Sequence, residues 1–457
     1  MPVAIIGAGP VGLAAAAHAL EEGLNPIIFE LGPDIGASIS EWGHVRLFSP
    51  WQFNMDGAAV RLLERTGWKS PDPAVLPTGH ELLESYLKPL AAHPEITSRL
   101  HLNTEVLSIS RQGRDKVITQ DRAYRAFVLR VRNDLGEERD VMASAVIDAS
   151  GTWKTPNPIG AGGVPALGEE ACRAHIHYGI PDVLGRAKGH YGGRTTLVVG
   201  AGHSAANALL DLATLAEEQP ETKIIWAVRG ENLSRIFGGG DNDQLPARGQ
   251  LGLRLQALIA RGALRLVTNF AIVKFDQARG RKRSVTGHGI NGTQTLSDID
   301  RVIATTGARP NLNVLREVRV ELDSAVESVL HLAPLIDPNV HSCGTVRPHG
   351  ALELAHPEPG FFIVGMKSYG RAPTFLMTTG YEQVRSVLAA LVGDMERALD
   401  VQLKLPETGV CSSDIASIVC CEGGQDTPIH EFAKSPQTDR ESVPAGKPQS
   451  ACGCGCS

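Results

Sequence analysis

Two short glycine clusters carry the spacing that could do chemistry. Gly7-Ala8-Gly9-Pro10-Val11-Gly12 follows the apolar run Val3 to Ile6 and opens an alanine-rich segment. Gly200-Ala201-Gly202-His203-Ser204-Ala205 follows "TTLVV" and opens another. A strand running into G-x-G-x-x-[G/A] and then a helix is the fingerprint of a dinucleotide site. The first glycine makes the tight turn, the second lets the backbone approach a pyrophosphate, and the third position lets helix and strand pack closely. The helix start supplies N–H groups and partial positive charge to the phosphates.

The residues ending the next strands differ. After the first cluster, Ile27-Ile28-Phe29 ends in Glu30, whose carboxylate suits ribose hydroxyls and repels a 2′-phosphate. After the second, Ile224 to Val228 ends in Arg229, whose guanidinium suits a 2′-phosphate. The second site is therefore expected to prefer NADP(H). His203 and Ser204, inside the second loop, are candidate contacts to the same nucleotide. "SAVIDASG", ending at Ser150-Gly151, and "RVIATTGARP", with Thr306-Gly307, place small residues where backbone must pass close to a ligand.

These clusters need two parallel-sheet units to hold them, and 457 residues suffice for both. The expected fold class is α/β: two Rossmann-like, three-layer ββα dinucleotide-binding domains, the second inserted into the first. The first domain takes residues 1–187 and 297–405, the second 188–296. "LHLNTEVLSIS" and "AYRAFVLRVRN" alternate as strands of a β-meander. Beyond Pro406, a stretch rich in Ser, Pro, Gly and charge is expected to be a disordered tail, 406–457.

With 42% hydrophobic and 21% charged residues the composition is that of a globular protein, and the net charge of −6 argues against nucleic acid as a partner. No apolar run reaches the ~18 residues a membrane span needs, and the N-terminus enters a strand directly. A cytoplasmic protein, without membrane partner, is expected. Of eight cysteines, Cys172 and Cys343 lie in the body and the other six from Cys411 onward. That is not a secreted disulfide framework. Cys452, Cys454 and Cys456 alternate with glycine; such thiolates are soft ligands, suited to a trivalent metalloid or soft metal such as arsenite. The spacing is too tight for a zinc knuckle.

Two fingerprints about 190 residues apart, Glu30 after one, Arg229 after the other and "ATTGARP" downstream, resemble the two-dinucleotide-binding-domain flavoproteins. The chain is most similar to flavin-containing and Baeyer–Villiger-type monooxygenases over residues 1–400, with "GTWKTPNPIG", "LFSPWQF" and "LPTGHELLESYL" adding to the likeness. The thiol tail and "LIDPNVHSCGTVRPHG" resemble a bacterial subgroup associated with arsenic resistance. The resemblance implies FAD in the first site, NADPH in the second, and hydride transfer between them. It implies that O₂ adds to reduced flavin as a C4a-(hydro)peroxide and that one oxygen passes to a soft nucleophile: S, N or a trivalent arsenical.

It also places Trp42, Arg46, Ser49, Val106, Gly365 and Thr379 on the flavin side, with Arg46 and Arg309 as electrostatic helpers. The linker signature F-x-G-x-x-x-H-x-x-x-[YF] is absent; "ALGEEACRAHIHYGIPD" stands there, with His175 or His177 and Tyr178 as a remnant. The Gly-Asp that holds the flavin's ribityl chain is replaced by Gly365-Met366. Cys343 could face the flavin, and "FGGGDNDQLP", with Asp241 and Asp243, reads as a lid or hinge over the second site. Two other readings stay open: a reductase passing electrons to a thiol or metalloid through the tail cysteines, and a non-enzymatic soft-metal-binding or redox-sensing flavoprotein.

Overall fold

The computed structural model describes residues 1–406 except 232, 278–281, 341–345, 374, 402 and 404. The expectations for the tail, including Cys452, Cys454 and Cys456, and for Cys343 lie outside the described residues.

Two five-stranded parallel sheets dominate. The first comprises β1 (Val3–Ile6), β2 (Pro26–Phe29) and β3 (Leu100–His101). Between β3 and the first sheet's later strands runs the meander of β4 (Glu105–Arg111), β5 (Phe127–Arg132) and β6 (Glu138–Ala143). β7 (Ala145–Asp148) and the late strand Phe361–Ile363 complete the first sheet, with β7 between that late strand and β1. The second sheet comprises β8 (Ile176–Tyr178), β9 (Thr195–Val199), β10 (Lys223–Ala227), β11 (Arg265–Val267) and, after a second antiparallel meander of β12 (Ala271–Gln277), β13 (Arg283–Gly289) and β14 (Gly292–Ile299), β15 (Arg301–Ala304). Its order is β11-β10-β9-β15-β8.

The central strands are apolar on both faces because helices or a meander cover both. In β9 and β10, Val198 and Trp226 enter the core under the helix His203–Glu218. Leu197, Val199, Ile225 and Ala227 point the other way, into the core shared with β12–β14. The helix Pro10–Glu21 is buried from Val11 through Ala19. Its alanines let it lie close between β-strand and neighbouring helix, which is why it shows no strong amphipathic stripe.

The second sheet reaches beyond the 188–296 segment assigned to it from the sequence. β8 and β15 both belong to it, β15 pairing with β9 as Val302↔Leu197 and Ile303↔Val198. "RVIATTGARP" reads as a strand returning to the first sheet; its buried Val302 and Ile303 instead make it a central strand of the second. The chain crosses between the sheets twice, at 149–157 and 304–309, and the two crossings bond to each other. Asn157 N donates to Gly307 O (2.9 Å), Thr306 Oγ1 to Asn157 O (2.6 Å) and Arg309 N to Thr155 O (3.0 Å).

A buried ionic triad ties the first meander to the segment before the late strand. Arg111 Nε lies 2.8 Å and Arg122 Nη2 2.7 Å from the Glu358 carboxylate, all three nearly sealed from solvent. Removing one member of such a set leaves uncompensated charge in the interior. Glu358→Ala should cost about 3–5 kcal/mol of unfolding free energy in a urea titration. Nearby, His356 packs on Phe361, and burial pushes its imidazole down to about 4 from an ordinary 6.5. The unfolded chain takes this proton first, so stability is complete above pH 6.5 and falls by about 3 kcal/mol as pH drops towards 4. His356→Gln should flatten that limb of the stability–pH curve.

Candidate functional site

The first fingerprint forms a cradle at the carboxyl edge of the first sheet. Gly7 has φ +98°, and a Cβ there would stand 2.8 Å from Ala149 O; one at Gly12 would stand 1.9 Å from Gly7 O. At Gly9 a Cβ would meet nothing within 4 Å. Gly7 and Gly12 are thus required by protein packing, while Gly9 faces open space that a ligand can enter. The helix Pro10–Glu21 begins at Gly9 with no side-chain cap. Its first N–H groups are therefore free to meet an anion. Glu30 stands at the end of β2, where its Oε2 accepts from Ala8 N (2.7 Å) and its Oε1 from Gly32 N (2.8 Å). Those bonds fix the carboxylate beside the cradle and leave lone pairs for ribose hydroxyls.

The same geometry recurs in the second sheet. Gly200 has φ +129° and a Cβ would stand 2.4 Å from Thr305 O, whereas at Gly202 nothing lies within 4 Å. The helix from His203 has no side-chain cap either, and Ala205 is fully buried against its strand. Trp226 Nε1 donates to Gly200 O (2.8 Å), pinning the turn from the core below. Arg229, exposed at the end of β10, donates to Ala161 O (3.2 Å), so its guanidinium stays at the mouth of this cradle. Both donor sets fit a dinucleotide: an open approach, an uncapped helix and, at the strand ends, a carboxylate in one and a guanidinium in the other.

Behind the first cradle lies a buried polar network. Lys367 Nζ sits 2.7 Å from Asp148 Oδ2 and 3.0 Å from Ser150 Oγ, and Ser150 Oγ donates to Asp148 Oδ1 (2.6 Å). Lys367 is 2% exposed and Asp148 0%. Asp148 pairs with Ile6 of β1, so the ion pair stands immediately beneath Gly7. From the same turn Gly365 N donates to Gln383 Oε1 (2.7 Å) on the helix Met377–Leu391, and Gln383 Nε2 lies 3.1 Å from His349 Nε2 and 3.0 Å from Ser368 Oγ. Gly365 and Gly380 both press on Val11, where Cβ atoms would lie 3.3 and 2.4 Å from Cγ2. The turn with Met366 in place of the expected Asp is thus a junction. Lys367 holds the loop after β7, and Gly365 and Gly380 seat the fingerprint helix.

A third cluster joins the loop at 48–53 to the second cradle. Phe48 stacks at 5.2 Å on His203, and the Arg248 guanidinium lies 5.9 Å from the Phe48 ring. Arg248 binds Asp243 through two nitrogens, at 2.8 Å each, both residues buried. Burial, and next the Arg248 charge, hold the His203 imidazole below its usual range, so it is neutral at pH 7. Asp243, read from sequence as part of a lid or hinge, is instead half of a buried ion pair that braces His203 and Phe48.

The remaining expected residues fall in several environments. Trp42 packs on Trp153 (6.5 Å), whose Nε1 donates to Glu41. Ser49 is buried and its hydroxyl donates to Asn54 Oδ1 (2.9 Å), so that hydroxyl is spent within its own loop. Arg46 is exposed, donating to Leu76 O and lying 3.8 Å from Glu81. Arg309 donates to Asn157 Oδ1 (3.0 Å) and stands 3.6 Å from Glu327, bracing the crossing between sheets. Val106 is buried in β4 opposite Val131. Thr379 is buried in the first turn of the helix Met377–Leu391, beside Tyr369. Gly151, with φ +69°, faces open space like Gly9. His175 bonds Arg301 (2.8 Å), and Tyr178 bonds Glu169, so neither is a free acid or base. The packing of Phe48 on His203 and the Asp148–Lys367 partnership carry no sequence signal, because their members lie far apart in the chain.

Residues 4–131 match the family model described as pyridine nucleotide-disulphide oxidoreductase. The chain is similar to flavin-containing monooxygenase 3 of the dog, 26% identical over 328 residues, which cover 69% of this chain and 57% of the relative. The chain spans about half the length of the curated relatives it matches, from 39% to 57%. Among solved structures it superposes on bacillithiol disulfide reductase of Bacillus cereus with a TM-score of 0.63 at 18% identity, covering 86% of this chain and 98% of that one. It superposes equally, at 0.63 and 14% identity, on a cadaverine monooxygenase of desferrioxamine biosynthesis from Erwinia amylovora, covering 90% and 98%. The fold is that of the two-domain FAD/NAD(P) oxidoreductases.

The buried pair behind the first cradle gives a direct test. Lys367→Met leaves the buried Asp148 carboxylate without its countercharge and should lower unfolding free energy by about 3–5 kcal/mol. Combining it with Asp148→Asn should recover a large part of that loss. Thermal denaturation of the two variants, with their flavin content, reads both effects.

Proposed function

We propose that the chain is an FAD- and NADPH-dependent oxidoreductase, and within that class a flavin monooxygenase acting on a soft nucleophile. The observation carrying this reading is the pair of open, uncapped cradles, with Phe48 of the first unit packed on His203 of the second. That contact sets the loop at 48–53 of the first unit against the start of the second cradle's helix. The balanced reaction consumes NADPH, a proton, O₂ and the nucleophile, and yields NADP⁺, water and the oxide. When bound, FAD supplies the two-electron and oxygen chemistry.

The protein's part is to bind, orient and exclude water. The uncapped helix starts at Gly9 and Gly202 receive the pyrophosphates. Glu30 orients a ribose, and Arg229 holds a 2′-phosphate. Ser150, Gly151, Thr306 and Gly307 supply backbone at the two crossings. Neutral His203 brings hydrogen-bonding capacity without a competing charge near the nicotinamide. Phe48 and Trp42 wall the site against water. Arg46 and Arg309 act through the loops they hold.

The disulfide-reductase reading is less well supported. Residues 1–406 contain no C-x-x-C, and Cys172 is buried. A reductase would have to use the thiols from Cys411 onward. For the substrate we propose a sulfide, an amine or a trivalent arsenical, with Cys452, Cys454 and Cys456 as soft ligands for the last.

Two measurements test these assignments. Arg229→Ala should raise the KM for NADPH by about 10- to 100-fold, the worth of one charge-assisted phosphate contact, and leave that for NADH almost unchanged. Oxygen uptake should match NADPH consumption one to one in the presence of an aryl sulfide, a tertiary amine or a trivalent arsenical, with the oxide accumulating. NADPH oxidation that never yields an oxide and instead follows disulfide reduction would replace the monooxygenase by the reductase.

A further inference from the structure

Beside the Phe48–His203 contact is a cleft of about 570 Å³. One wall comes from the loop at 48–53 and from 74–76, the other from the start of the helix Pro246–Ala260, with Leu405 and Pro406 closing one end. It is a boundary between the two sheet units, the kind of place where small-molecule sites concentrate, and its volume lies in their usual range. Of its twelve lining residues ten are apolar, Phe48, Phe53, Leu76 and Leu245 among them. The other two are amides, Gln52 and Gln244, and among the described residues none of the lining is charged. The nearest buried charges, Arg248 and Asp243, satisfy each other.

We propose that this cleft selects the substrate, and that it takes an uncharged molecule with an aromatic or alkyl body and a polar reacting atom. The proposal rests on the monooxygenase reading for what happens to that atom, and on the cleft alone for what binds. Phe48 is shared between the cleft and the His203 contact, so a molecule lying in the cleft touches the side chain that packs on the second cradle. A carboxylate or ammonium buried in it would lose hydration and meet no opposite charge among the described lining residues, which disfavours ionised ligands. The Gln52 amide, on one wall, brings both a donor and an acceptor and orients a neutral polar group without demanding a charge. A bare inorganic oxyacid would fill only a small part of the space. An organic sulfide or an organoarsenical is therefore preferred over arsenite, and an amine binds in its neutral form.

The test uses three probes with the same reacting sulfur: methyl phenyl sulfide and its para-carboxylate and para-trimethylammonium analogues. Binding to the flavin-loaded protein is measured by equilibrium dialysis, separately from turnover. The neutral probe should bind at least ten-fold more tightly than either charged one. Ala74→Trp, which fills the cleft from an exposed loop position, should weaken it at least ten-fold with flavin content unchanged, and Gln52→Leu a few-fold. If Ala74→Trp fails to fold, Gln52→Trp makes the same obstruction. Equal binding of the three probes, or an affinity unmoved by both tryptophan variants, overturns the proposal. A probe that binds in the cleft but is never oxygenated removes the monooxygenase reading and leaves the cleft standing. Oxygenation with a KM indifferent to the obstruction does the reverse.

Discussion

The geometry of the first cradle hangs on a buried ion pair between residues 219 positions apart, Asp148 and Lys367. Sealed charges in an interior are tolerated only when each has a partner and their remaining hydrogen-bonding capacity is met. Here Ser150 closes the triangle, and Gln383, His349 and Ser368 continue the network on the far side of Gly365. The consequence is positional. The loop after β7, the turn after Phe361–Ile363 and the helix Met377–Leu391 cannot shift independently, and all three border the space above Gly9.

A different economy governs the second cradle. Its turn is held by a neutral bond from Trp226 to Gly200, and its front is braced by Arg248 and Asp243 through Phe48 and His203. The bracing residues come from a segment that also lines the cleft. One buried cluster thus borders both the second cradle and the cleft. The double crossing at Asn157 and Thr306 fixes the spacing between the sheets that this shared cluster needs.

Much of the fold was legible in the chain. Gly7 and Gly200 read as tight turns and Gly12 as a close-packing position; the structure gives positive φ at Gly7 and Gly200, and a Cβ at any of the three would crowd backbone. Glu30 and Arg229 follow from their places at the ends of strands. The sheet membership of β15 was not legible: Val302 and Ile303 suit any buried parallel strand, and only pairing with β9 decides which. Nor was it legible that the Ser49 hydroxyl is committed to Asn54 and Arg309 Nε to Asn157.

The sequence by itself determined the two dinucleotide cradles, since turn, glycine and helix start are local and fit within a dozen consecutive residues. Tertiary structure alone decided what stands behind and between them. Lys367 beneath Gly7, Phe48 against His203, and an uncharged cleft built from three distant segments are contacts across long stretches of chain. No local spacing encodes such contacts. They exist because parallel sheets bring the carboxyl ends of remote strands, and the loops that leave them, to one edge.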